Sequence, residues 1–135
     1  MSPRTLKALS WGTTLLIAAL MLMSAALYLS GAPEVQEGLT HLGYPAYFLI
    51  ILGTAKLLGS LAILQSRVPL LREWAYAGFT FVLLGATASH LFSGDAVGVA
   101  AFPAGLLIPL AVSYQLRHAR GAVAQAASGL TASLA

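Results

Sequence analysis

No cysteine occurs among the 135 residues. That absence excludes disulfides, thiol relays, iron–sulfur clusters and thiolate-bound haem in this chain, so any redox role needs a separately bound cofactor. Charge is nearly as scarce: Asp, Glu, Lys and Arg together make up 8% of the residues, about a third of the share in a soluble domain. The three histidines, His41, His90 and His118, form no His-x-x-x-His pair, so a metal is not expected and haem is disfavoured. No glycine-rich phosphate loop is present, and no Ser/His/Asp set falls at a common depth. The net charge of +3 comes from basic residues that sit singly beside apolar runs, which suits membrane topology signals and not nucleic-acid binding.

What is there is apolar. Hydrophobic residues make up 59% of the chain and are spread along its whole length, which leaves no segment for a separate soluble domain. We expect an all-α integral membrane protein, an antiparallel bundle of four transmembrane helices over about 9–29, 46–64, 73–92 and 96–116. The first run exceeds a signal-peptide core and is expected to be a retained helix. Between the first two spans, Pro33 with Glu34 and Glu37 reads as the start of a short helix whose apolar side, Val35, Leu39 and Leu42, lies in the interface plane. Pro103 and Pro109 should bend the fourth span. Arg117, His118 and Arg120 should stop it, leaving residues 1–118 as the membrane domain and 119–135 as a mobile tail.

Arg4, Lys7, Arg67, Arg72, Arg117 and Arg120 fall on one side of this four-span arrangement, and Glu34, Glu37 and Asp95 fall on the other. Both termini are therefore expected in the cytoplasm, the bilayer being a bacterial inner membrane.

The polar residues inside the spans carry the functional argument. Glu73, Tyr76, Thr80, Leu83, Thr87 and His90 recur at alternating spacings of three and four, so they line one helical face that must turn away from lipid. Lys56 lies near the middle of the second span and shares a face with Gly53 and Ser60. A lysine there costs about 2.5 to 3.5 kcal/mol on insertion scales, so it needs a partner or a task. The expected partner is Glu73, about 10 Å nearer the connecting turn at 1.5 Å per residue. The same rise separates Glu73 from His90 by some 25 Å, so these two candidate catalytic groups cannot form one dyad. Tyr44, Tyr47, His41 and Asp95 are expected near His90 at the far end. Small residues, among them Ala55, Gly59, Gly78 and Gly85, offer close helix packing within the chain or between copies.

His41-Leu42-Gly43-Tyr44-Pro45-Ala46-Tyr47-Phe48, then Gly53, Lys56 and Gly59, then Glu73-Trp74-Ala75-Tyr76-Ala77-Gly78, and finally Ser89-His90 and Gly94-Asp95 give the chain from about Leu6 to His118 its resemblance to a family. It resembles the DoxX-like family of small four-helix bacterial membrane proteins. Most members have no assigned activity. The resemblance implies contact with a membrane redox system, since the name derives from a relative associated with a quinone-linked thiosulfate-oxidising complex.

These observations lead us to expect a core that binds an apolar molecule with a polar head, quinone-like or lipid-like. Lys56, Tyr76, Thr80, Thr87, Tyr44 and Tyr47 would contact it, in an accessory subunit of a redox complex or in a homo-oligomer. The competing expectation is an isomerase or cyclase in which Glu73 or His90 moves a proton on a lipophilic substrate. A third is a structural or assembly subunit without a ligand. Transport is disfavoured by size, because four helices leave little room for an aqueous path.

Overall fold

Five helices account for most of residues 1–134, the part of the chain described by the computed structural model: α1 (Pro3–Leu29), α2 (Pro33–His41), α3 (Phe48–Leu64), α4 (Pro69–Phe92) and α5 (Val97–Ser133). Among the described residues there is no strand. Proline opens α1, α2 and α4, where its missing N–H would have had no intrahelical acceptor. Ser2 adds a side-chain cap to α1 by accepting from the Thr5 amide at 3.1 Å, and Glu34 places a carboxylate in the first turn of α2, where the helix dipole favours it.

α1, α4 and α5 are long and apolar enough to cross a membrane. α3 is equally apolar but has 17 residues, about 26 Å of helix against about 30 Å of hydrocarbon. The pattern of burial is the reverse of a soluble domain's. Phe81, Phe102 and Ile108 are each about 70% exposed or more, whereas Ser10, Thr14, Lys56, Ser60 and Ser113 are buried. A surface of this kind is stable against lipid and not against water. The molecule is an all-α, multi-pass membrane protein.

Four helices form a ring. α1 packs on α3 and α5, and α4 packs on the same two, while the diagonal pairs make no close backbone approach among the described residues. α2 lies across one end, against α1 and α3. Ile17, Met21, Ile63, Phe79, Leu83 and Leu110 fill the centre. Because lipid tails are as apolar as these side chains, close packing and internal hydrogen bonds supply the cohesion. Tyr76 and Ser113 share a hydrogen bond of 2.8 Å, Ser113 and Thr14 one of 3.1 Å, and Thr14 donates to the Ser10 carbonyl at 2.8 Å. This polar chain ties α4 to α5 to α1.

The small residues of α3 serve packing within the chain. A Cβ on Gly53 would lie 2.8 Å from the Leu29 side chain of α1, and one on Gly59 would lie 2.8 Å from the Phe79 ring of α4. Gly78 and Gly85 on α4 face open space instead.

α5 departs from expectation at its end. It runs through Pro103 and Pro109 without interruption and continues past Arg117, His118 and Arg120 to Ser133. Basic residues complement a helix C-terminus without ending it, and the following segment is rich in alanine, the strongest helix former, with no proline to break it.

Candidate functional site

Lys56 is the most informative side chain. It is only 7% exposed, and its expected pairing with Glu73 is not formed. The ammonium instead donates to Ser24 Oγ at 2.8 Å and sits 3.7 Å from the centre of the Tyr28 ring, both on α1. Helix α3 approaches α1 closely at Gly53, one turn from Lys56, and this approach brings the lysine to α1 and not to α4. A hydroxyl and an aromatic face solvate the cation in part. Neither neutralises it, and no carboxylate pairs with it among the described residues.

A cleft of about 330 Å³ opens beside it, walled by Tyr28, Phe48, Leu52, Phe81 and Val82. Lys56 lines this cleft, and so do Tyr44, Ser89 and His90. Leu39 and Leu42, on α2 and immediately after it, complete the wall. The result is an apolar slot with a few convergent polar groups, the usual build of a small-molecule site.

Around the mouth, one carboxylate organises three elements. His41 Nε2–H of α2 donates to Asp95 Oδ1 at 2.7 Å, and His90 Nδ1–H of α4 donates to Asp95 Oδ2 at 2.7 Å. The turn between α4 and α5 delivers Asp95 because Gly94 takes a positive φ of 76°, a conformation that favours glycine. The His90 hydrogen bond, and after it the one from His41, holds the Asp95 carboxyl below the usual carboxylate range. Next to this bridge, Tyr44 and Ser89 share a hydrogen bond of 2.7 Å, and Tyr44 stacks on Phe48 with ring centres 4.7 Å apart. Among the described residues no group of three His, Asp or Glu side chains is arranged to hold a metal ion.

The structure divides the residues singled out in the sequence. Lys56, Tyr44 and His90 meet at the cleft. Tyr47 lies near them in sequence but is 65% exposed. Thr80 and Thr87 donate back to the carbonyls of Tyr76 and Leu83, and neither lines the cleft. Tyr76 is buried in the polar chain to Ser113. Glu73 lies at the opposite end of α4, where it accepts from His118 Nε2–H at 3.1 Å.

Ser24 and Tyr28, the partners of Lys56, were not singled out from the sequence. A signal for them was present: Ser10, Thr14, Ile17, Met21, Ser24 and Tyr28 alternate spacings of four and three along α1, the same inward-face pattern as on α4. The run is diluted by Ile17 and Met21, and serine and threonine are common enough in membrane helices to carry little signal.

The sequence model described as the DoxX-like family matches residues 12–113, a stretch that takes in every residue of the cleft. No curated protein and no solved structure matches.

Proposed function

The chain belongs to the DoxX-like family, and from that premise together with the cleft we propose that it binds a lipophilic molecule with a polar head, quinone-like or lipid-like. The carrying observation is Lys56, a buried ammonium without a carboxylate at the wall of an apolar slot. An ammonium has three N–H donors, and Ser24 accepts one. A carbonyl or phenolate oxygen at the cleft would accept another, while Tyr28, Phe48, Leu52 and Phe81 would enclose an apolar ring or chain. The chemistry fits a quinone without further machinery, and such a ligand would suit an accessory subunit of a membrane redox system.

In this reading α1, α3, α4 and α5 are four antiparallel spans, α2 lies in the interface plane over the cleft, and residues beyond about 118 extend out of the membrane domain. Arg4, Lys7, Arg67, Arg72, Arg117 and Arg120 put both termini in the cytoplasm of a bacterial inner membrane. The cleft then opens toward the outer leaflet.

The test is organic extraction and mass spectrometry of the purified wild type beside Lys56→Met, preceded by an absorption spectrum. The expected result is one quinone or lipid per wild-type chain, reduced at least tenfold in the variant. Equal amounts in both proteins would remove Lys56 from the site and with it the proposal.

His90 favours a second reading. Asp95 accepts from Nδ1–H and so leaves Nε2 with the lone pair of the neutral ring, at the wall of the same cleft. A base held this way could move a proton on a lipophilic substrate, as an isomerase requires. Glu73, at the other end of α4, takes no part. Incubating the extracted molecule with protein in deuterated water would give carbon-bound deuterium that His90→Gln abolishes; exchange persisting in the variant counts against this role.

A further inference from the structure

At the end of the ring opposite Asp95, a cavity of about 360 Å³ lies between α4 and α5, lined by Arg72, Arg117, Arg120, Glu73, His118 and Tyr114. We propose that this cavity is a second binding site, for a phosphate-type oxyanion, independent of the lipophilic cleft.

Three arginines converge on the cavity, and the one carboxylate there, Glu73, already accepts from His118. Every ion pair among the described residues has a histidine as its cation, so none of these guanidiniums has a carboxylate partner. Nor are they loose surface charges. All three arginines are half-buried, and the guanidiniums of Arg117 and Arg120 each lie 5.4 Å from the Trp11 ring of α1. Arg117 also donates through Nη1 to the Ile63 carbonyl of α3, while its Nη2 is buried without an acceptor.

Like charges gathered around one cavity repel one another, and the repulsion grows as water is excluded. An anion at their centre reverses its sign. Guanidinium is suited to the task because its planar fork meets two oxygens of a phosphate at once. If the arginines were topology signals alone, they would be expected to spread into solvent, as Arg4 and Arg67 do. Two sources of that chemistry reach such a place: the headgroup of an anionic phospholipid, for which basic pockets between membrane helices are known receptors, and free phosphate.

The experiment titrates full-length protein in detergent with short-chain phosphatidylglycerol, short-chain phosphatidylcholine and inorganic phosphate. It compares wild type with Arg72→Gln, Arg120→Gln, their double variant, and Arg67→Gln as a basic residue outside the cavity. Arg117 is left intact because it also holds the Ile63 carbonyl. Saturable binding of phosphatidylglycerol in preference to phosphatidylcholine, weakened about fivefold for each cavity arginine removed and less than about twofold by Arg67→Gln, identifies a lipid headgroup. The same variant pattern with inorganic phosphate, and no added affinity for the lipid, identifies a free anion. The proposal is overturned if neither anionic probe binds, if phosphatidylcholine binds as well as phosphatidylglycerol, or if Arg67→Gln costs as much as the cavity variants.

Discussion

The two ends of the helical ring use their few charges in opposite ways. At the Asp95 end a single carboxylate accepts from two histidines, one on each oxygen, joining α2, α4 and the α4–α5 turn. At the arginine end three guanidiniums face one carboxylate that is already engaged. The first arrangement is a clasp, closed on itself. The second is open and electrostatically unfinished. Lys56 lies between them and resembles the arginine end, since it too lacks a counter-ion. Cations without carboxylates are costly in a membrane, and in the two binding proposals a ligand offsets that cost, whereas the clasp needs only its own three side chains.

The largest expected effect comes from removing the lysine. If Lys56 serves a ligand, Lys56→Met in the empty protein loses one hydrogen bond to Ser24 and one contact with Tyr28 but relieves a buried charge, for a net gain of up to about 2 kcal/mol. Unfolding in mixed micelles of detergent and denaturant measures it. A loss of 2 kcal/mol would make Lys56 a structural residue and erase its likeness to the arginine end.

Tyr76→Phe tests the polar chain that ties α4 to α5 and α1 beside the arginine end. The substitution removes the 2.8 Å bond to Ser113 but leaves Ser113 with Thr14, so the cost should be about 0.6 kcal/mol, the average for hydrogen bonds between membrane helices. A smaller effect, of opposite sign, is expected at the arginine end. Arg120→Gln relieves like-charge repulsion and should stabilise the anion-free protein by a few tenths of a kcal/mol at low ionic strength. The gain should fade as salt is raised. Stabilisation that persists at high salt would mean the repulsion is not its source.

Much of this arrangement could be read in the sequence, and what could not has a common cause. Helical periodicity identified the inward faces: Gly53, Lys56 and Ser60 are all buried, and the Glu73 to His90 stripe is buried or half-buried throughout. Arg72, Arg117 and Arg120 lie at one end of the ring and Asp95 at the other, although Glu73 shares the arginine end. Which inward face meets which was not legible. Lys56 turned to α1 because Gly53 lets that helix come close, a pairwise fit between helices that no periodicity in one of them encodes. The arginine cavity is not encoded in any one segment for a related reason. Taken singly, Arg72, Arg117 and Arg120 are topology signals, and their convergence needs both the α4–α5 contact and a helix that continues past Leu116.

The clasp offers the finest test of the comparison, because protonating its one carboxylate weakens the acceptor that both histidines share. The hydrogen bonds from His90 and His41 hold the Asp95 carboxyl below its ordinary range. A carboxyl whose pKa is lower folded than unfolded adds stability that is fully present above the unfolded value, about 3.9, and is lost as pH falls through the folded value. Because the group is close to solvent, the effect should be confined to α2, which the clasp pins over the cleft. Hydrogen exchange of the α2 amides, corrected for the intrinsic pH dependence, should show steady protection from neutral pH down to about 4 and a loss below it. Amides around Ser113, in the buried core, serve as the reference. Asp95→Ala should lose the α2 protection at every pH and show no further change on acidification. If wild-type α2 keeps its protection in acid, or the variant keeps its own at neutral pH, Asp95 does not hold the helix down, and the contrast between a closed end and an open one fails at the closed end.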